Sequence, residues 1–198
     1  MVRILIVYAS THGHTAKVAA ALANALRRQA ATVDVFDAAT TACRPDEYHA
    51  VFVAASVHGG AYQTSIQRWV RSHASVLNRK TTAFVSVCLG VLERDPTVQR
   101  AVEANVRRFT EAVGWKPTVV KQIAGAVLYT RYNWFLRWTM KRMVAKAGGG
   151  TDTTRDYEYT DWQDLRAFAD QFGTRIAAAS RSVPSAVGAS LLERSTSG

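Results

Sequence analysis

Arg3-Ile4-Leu5-Ile6-Val7-Tyr8-Ala9-Ser10-Thr11-His12-Gly13-His14-Thr15 is an almost unbroken apolar run that stops at a small, hydroxyl-rich turn. Arg3 to Tyr8 is too continuously apolar for a strand wetted on one face and predicts a central strand covered on both sides. Ala9 to His14 predicts a turn. Immediately after it, Val18, Leu22, Ala25 and Leu26 fall on one stripe, the spacing of a helix that lies on a sheet. Strand, turn and helix in this order are the opening of a parallel α/β fold.

The same alternation continues along the chain. Thr32 to Phe36 and Ala50 to Ala55 predict the second and third strands, and Gln63 to Asn78 a helix with Ile66, Trp69, Val70, His73 and Leu77 on one face. Thr82 to Cys88 predicts the fourth strand. Asp95 and Pro96 are suited to the cap and first position of a helix striped by Val98, Val102, Asn105, Val106, Phe109 and Val113, which Gly114 closes. Thr118 to Val127 predicts a fifth strand, and a last helix starts near Thr160 or Asp161 with Leu165, Phe168, Ala169, Phe172 and Ile176 inward. With 198 residues and 48% hydrophobic content, the chain can bury one sizeable core, so residues 1–179 are expected to form one domain. Residues 180–198 are Ser-rich and read as a mobile tail.

The turn after the first strand is where open parallel sheets bind ligands. Backbone N–H groups at a helix start attract an anion, Ser and Thr hydroxyls add donors, and Gly13 admits close approach. Ser10, Thr11, His12, Gly13, His14 and Thr15 therefore suit a phosphate monoester, although Ser10 and Thr11 acting only as helix caps would account for the same residues. A dinucleotide fingerprint and a Walker lysine are both absent. His12 and His14 are candidates to lend positive charge; as metal ligands they have no further partners nearby, and no metal site is expected.

This segment resembles the phosphate loop of the flavodoxin superfamily: Ser10, Gly13 and Thr15 match its Thr/Ser-x-Thr-Gly-x-Thr pattern, and His12 replaces a hydroxyl. The resemblance implies a doubly wound, flavodoxin-like five-stranded parallel sheet of order 2-1-3-4-5 and FMN as cofactor. It also implies that the loops after the third and fourth strands hold the flavin ring. Here those are Ser56, Val57, His58, Gly59, Gly60 and Tyr62, and Ser86, Val87, Cys88, Leu89 and Gly90. Tyr62 is a candidate to stack on the ring or hydrogen-bond beside it. Cys88 reads equally as a small core residue or a redox-active thiol.

From Leu128 to Tyr159 about thirty residues intervene where such folds need a few. Between Arg131 and Lys146 there are five basic residues, Arg131, Arg137, Lys141, Arg142 and Lys146, and no acidic one, interleaved with Trp134 and Trp138. Helical spacing puts Tyr132, Phe135, Leu136, Thr139, Met140 and Met143 on one side and Trp134, Arg137, Trp138 and Lys141 on the other. A basic, Trp-bearing helix suits an anionic membrane surface; simple packing of its apolar side on the protein is the alternative.

Ile123-Ala124-Gly125-Ala126, Tyr129 to Trp134, Gly148 to Thr153 and Tyr159-Thr160-Asp161-Trp162 are similar to the FMN-dependent, quinone-linked bacterial protoporphyrinogen IX dehydrogenases, from the first strand to about Phe172. Thr130 stands where that family tends to have Pro, and His58 with Gly59 replaces a larger pair. The resemblance implies oxidation of protoporphyrinogen IX in haem biosynthesis, with menaquinone or ubiquinone as acceptor. Arg131 is then the candidate for the substrate propionates with Tyr132 and Trp134 beside it, and His58 the candidate proton acceptor. The alternatives are a soluble FMN-dependent NAD(P)H:quinone reductase and a non-catalytic electron-transfer flavodoxin. The formal charge of +10 is opposite to that of the usual acidic shuttle. A secretory signal and a spanning segment are not apparent, and two cysteines, Cys43 and Cys88, suggest neither disulfide nor zinc site. The expected setting is cytoplasmic, peripheral on the inner face of the cell membrane. Nucleic acid is not an expected partner, for want of any binding motif, and a homo-oligomer is left open.

Overall fold

The computed structural model describes residues 2–29, 31–40, 43–131, 138, 141, 144–145 and 150–181. Its frame is a parallel sheet of five strands in the order β2-β1-β3-β4-β5, comprising β1 (Arg3–Ala9), β2 (Thr32–Asp37), β3 (Ala50–Ser56), β4 (Thr81–Val87) and β5 (Val119–Ile123). The order agrees with the expectation. Ile6 pairs with Val35 on one side and Phe52 on the other, so β1 is interior to the sheet.

Both faces of β1 are buried because alternate side chains enter different cores. Ile4 and Ile6 pack with α1 (His14–Arg27) and α4 (Trp162–Arg181), through Val18, Leu22, Leu165 and Phe172. Leu5 and Val7 pack with α2 (Thr64–Leu77) and α3 (Pro96–Val113), through Ile66, Val70, Val106 and Phe109. Each such side chain removed from water contributes about 1.5–3 kcal/mol, which makes this two-sided layer the main source of stability. The ends of α3 are set locally. Asp95 Oδ1 accepts from the Thr97 N–H at 2.7 Å, Pro96 takes the first turn, and Gly114 leaves it with φ 69°.

The connection between β5 and α4 differs from the expected continuous strand. β5 ends at Ile123, and Ala126–Val127 forms a separate strand, β6, antiparallel to β7 (Tyr157–Glu158). The break occurs where the chain at Gly125 presses on β4: a Cβ at Gly125 would lie 2.9 Å from Val87 Cγ1. Beyond β6, Tyr129–Arg131 is a single 3-10 turn, and Val127, Tyr129 and Val144 form a small satellite core. Trp138, Lys141, Val144 and Ala145 are helical; Trp138 is 55% exposed and Val144 buried. The rest of the expected basic helix lies outside the described residues. α4 continues through Arg181, and the tail beyond it is likewise outside them. Among the described residues no helix is long and apolar enough to cross a membrane.

Candidate functional site

β1, β3 and β4 all point their C-terminal ends to one edge of the sheet, and the loops that follow them enclose a cleft of about 470 Å³. The turn after β1 forms one end. Ser10 Oγ accepts from the Gly13 N–H at 2.9 Å, and Gly13 takes φ 91°, a left-handed conformation that a Cβ would strain. Ser10 thus closes the turn rather than capping the helix. Gly13, the cap residue of α1, offers its first turn no side chain, and among the described residues that turn carries no acidic group, an arrangement suited to an anion.

The loop after β3 is a tight turn. His58 N–H donates to Ala61 O at 2.8 Å, Ala61 N–H donates back at 3.1 Å, and Gly59 and Gly60 have φ 57° and 80°. Positive φ at both central positions is the requirement of a type I′ turn, which explains the glycine pair. The loop after β4 is held against α3: a Cβ at Gly90 would sit 2.7 Å from Val102 Cγ2 and 3.3 Å from Val98 Cγ1. Gly90 thus lets the main chain lie directly on α3, while Gly59 and Gly60 supply the positive φ of the turn after β3.

Of the residues expected from sequence to hold a cofactor, Ser10, His12, His14, Thr15, Ser56, Val57, His58, Gly59, Gly60, Val87, Cys88, Leu89 and Gly90 line this cleft. Gly13 lines a second cleft of about 480 Å³ on the other side of His12 and His14, together with Lys17, Leu128 and Asp156 to Glu158. Thr11 is held beside the first cleft by Gln63 Nε2 at 3.2 Å. Tyr62 and Ser86 are not brought to the cleft wall. The Tyr62 ring is buried against Phe84 and Phe109, and its hydroxyl meets Ser86 Oγ at 2.7 Å beneath the sheet edge. Burial, in spite of that hydrogen bond, raises the Tyr62 pKa far above its usual value. Tyr62 lies in the loop just before the cap of α2 and joins the core cluster of Ile66, Phe84 and Phe109, a position that no periodicity in the sequence marks.

Reasoning from sequence missed the contribution of α3. Val98, Ala101, Val102 and Asn105 form a wall of the cleft, and Asn105 is the polar residue on an otherwise apolar stripe that signals it. It also missed Gly125, Ala126 and Leu128, which bring the chain from the cleft into the β5–α4 connection. Of the expected substrate residues, Arg131 ends the 3-10 turn at that point, but its side chain, Tyr132 and Trp134 lie outside the described residues.

Three titratable groups of the cleft, His58, Cys88 and His14, are biased toward their neutral forms. Partial burial and nearby His12, whose ring meets that of His58 edge-on at 5.9 Å, lower the His58 pKa. Burial raises the Cys88 thiol, which disfavours the reactive thiolate. His14 is 9% exposed, and its pKa is lowered because burial outweighs the attraction of Glu158 at 3.7 Å. The Thr160 hydroxyl donates to Ala124 O at 2.7 Å, so at 2.8 Å it must accept from His14 Nε2–H. His14 therefore ties the start of α1 to the segment before α4 instead of supplying a positive charge. Glu158 accepts from Lys17 Nζ at 2.8 Å and from Trp162 Nε1 at 2.7 Å, which fixes the same junction.

Comparison with known proteins places this architecture. The flavodoxin domain family matches residues 5–154. A protoporphyrinogen IX dehydrogenase (quinone) of Escherichia coli K12 is 33% identical over 170 residues, covering 84% of this chain and 92% of the relative. One of the same name from Leishmania major is 31% identical over 174 residues, covering 86% of this chain and 74% of the relative. Among solved structures, a short-chain flavodoxin associated with a bacterial microcompartment gives a TM-score of 0.56 at 12% identity, covering 90% of this chain and 99% of that one. The flavodoxin of Streptococcus pneumoniae TIGR4 gives 0.54 at 19% identity, with coverage of 89% and 99%. Fold, cleft position and sequence similarity together establish that the chain belongs to the flavodoxin-domain family and, within it, to the protoporphyrinogen IX dehydrogenases (quinone).

Proposed function

We propose that this protein catalyses the FMN-dependent oxidation of protoporphyrinogen IX to protoporphyrin IX, with a quinone as electron acceptor. The observation that carries the reading is the similarity to a named dehydrogenase along 92% of that relative's length, in a chain whose β1–α1 turn leaves helix N–H groups open at one end of a cleft. The residues present fit FMN. An uncapped helix start without acidic side chains suits the phosphate, and a cleft of about 470 Å³ with glycine-built loops suits a flat ring system. FMN supplies two-electron redox chemistry when bound.

The chain's own groups then divide the remaining tasks. Ser10 and Gly13 shape the anion-binding turn, the loops at Ser56 to Gly60 and Cys88 to Gly90 wall the ring end, and Val98, Val102 and Leu128 keep water from the apolar side. His58, neutral near physiological pH and on the cleft wall, is the side chain assigned to proton exchange with the reacting pair. The cation Arg131, with Tyr132 and Trp134, is assigned to the two propionates of the substrate. Menaquinone or ubiquinone reoxidises the protein after each of three two-electron rounds.

Both substrates are poorly soluble, and the connection after Leu128 is the element that gives access to a membrane. Trp138 and Lys141 are exposed on its helical part, as docking to the anionic inner face of the cell membrane would require. Replacing them together, Trp138→Ala with Lys141→Glu, is expected to weaken binding to anionic liposomes while FMN stays bound, which co-sedimentation and flavin absorbance would measure.

Anaerobic mixing of FMN-loaded protein with protoporphyrinogen IX tests the reaction. The expected result is bleaching of the flavin band, reversed by menaquinone. An unchanged spectrum overturns the reading, and bleaching by NAD(P)H alone would make the protein a soluble quinone reductase.

A further inference from the structure

Gln63, the residue before α2, joins the two loops at the ends of β1 and β3. Its amide donates through Nε2 to Thr11 Oγ1 at 3.2 Å, in the turn after β1, and to Ser56 Oγ at 2.9 Å, at the end of β3. Its Oε1 is buried with no hydrogen-bond partner among the described residues. Turning the amide over would let Oε1 accept from both hydroxyls but would put the NH2 group, with two donors, in that same buried place. An unpaired buried N–H is rarer and costlier than an under-satisfied carbonyl, so the orientation with Nε2 donating is preferred.

This orientation has a consequence at Ser56. Its Oγ carries one hydrogen and accepts from Gln63, and its remaining neighbour is His58 Nε2 at 3.0 Å. That nitrogen is the acceptor the described residues offer to the Ser56 O–H. A hydroxyl that donates to Nε2 requires Nε2 to be the unprotonated nitrogen, which leaves the proton of the neutral ring on Nδ1. Among the described residues Nδ1 has no hydrogen-bond partner, while His58 lines the cleft and its main chain is locked by the Gly59-Gly60 turn.

We propose that Gln63 is a positioning residue that acts through Ser56 to hold His58 as its Nδ1–H tautomer, so that His58 presents a hydrogen-bond donor to the cleft. This rests on the proposed function only for the identity of the complementary group: an acceptor such as a carbonyl oxygen or an unprotonated ring nitrogen, both of which a flavin carries. A ring held in this way cannot take a proton at Nδ1. Proton acceptance by His58 then falls to Nε2, after the Ser56 hydroxyl has turned away.

Long-range proton–nitrogen correlation spectra of 15N-histidine-labelled, FMN-loaded protein at mildly alkaline pH read the tautomer directly, with His58→Gln assigning the signals. The expected spectrum has a protonated Nδ1 and an unprotonated Nε2. In Gln63→Glu the carboxylate accepts the Ser56 hydroxyl, Ser56 accepts from His58, and the proton moves to Nε2. Ser56→Ala, which does not disturb Gln63's contact with Thr11, removes the bias and moves the population the same way. A protonated Nε2 in the unaltered chain, or variants that fold with the tautomer unchanged, would overturn the proposal. The spectrum of the flavin-free chain carries the same test, so a failure of FMN to bind would count against the proposed function and leave this result to be read on its own.

Discussion

The turn between β1 and α1 and the connection between β5 and α4 both reach the cleft, and they are built differently. The first is anchored by a strand buried on both faces and by a helix whose inward stripe is fully packed. Its shape depends on neighbours a few residues away, Ser10 on Gly13 above all. The second rests on a two-strand ribbon and a satellite core of Val127, Tyr129 and Val144, and it is tied to the first by contacts spanning most of the chain, His14 to Thr160 and Lys17 to Glu158. The turn proposed to bind the anion thus rests on the large two-sided core, and the connection on a small satellite core that is separate from the sheet.

Breaking the sheet should have the largest effect. Phe52→Ala removes a fully buried ring that packs on Phe172 at 4.7 Å and is expected to cost about 3–5 kcal/mol in denaturant unfolding, with loss of FMN binding. A comparable truncation in the connection should leave the sheet folded, which is the sharper half of the contrast. Thr160→Val leaves His14 Nε2–H and Ala124 O without their shared partner and is expected to cost about 1–3 kcal/mol, with amide exchange rising between Gly125 and Thr160 before it rises in β1. Gly13→Val forces a β-branched residue to φ 91° or displaces the turn. Strain of about 1–3 kcal/mol and a roughly tenfold to hundredfold weaker FMN affinity are expected from titration, with the sheet intact.

The first region could be read from sequence because its physics is local. An apolar run followed by a hydroxyl-rich turn and a striped helix allows few structures, and Asp95-Pro96 with Gly114 marked α3 for the same reason. The break in β5 escapes such a reading, since Val119, Val120, Ile123 and Val127 carry the strand pattern past Gly125, whose presence alone does not say where the chain turns. The chain departs there because Gly125 meets Val87 and Ala126 finds a partner in β7, contacts made by distant residues. Tyr62 suffered from a competing reading: it follows a glycine loop expected to hold a flat ligand, but its ring packs in the aromatic core on Phe84 and Phe109, residues far away in sequence. His14 looked like a source of charge; burial biases it to the neutral form, and Thr160, 146 residues away in sequence, makes it a tether.

That tether implies the smallest of the effects, a share of the acid sensitivity that belongs to the junction. The His14 pKa is lowered on folding, so the unfolded chain binds more protons as pH drops below about 6.5, and stability falls with acidification from there. Glu158 is also depressed, chiefly by its hydrogen bond from Lys17, so its contribution is present above the ordinary carboxylate range and is lost at still lower pH as it protonates. His14→Gln should reduce the earlier part of the acid loss, leaving the share of His58, whose pKa is also lowered, and keep the later part. Unfolding midpoints measured from neutral to acidic pH would detect the difference.

The claim on which everything else depends is that the turn around Gly13 grips the phosphate of FMN. Calorimetric titration of the flavin-free protein with FMN and, separately, with riboflavin measures that grip. Tight one-to-one binding of FMN with much weaker binding of riboflavin is the predicted result; equal affinities, or no heat with FMN, would contradict it.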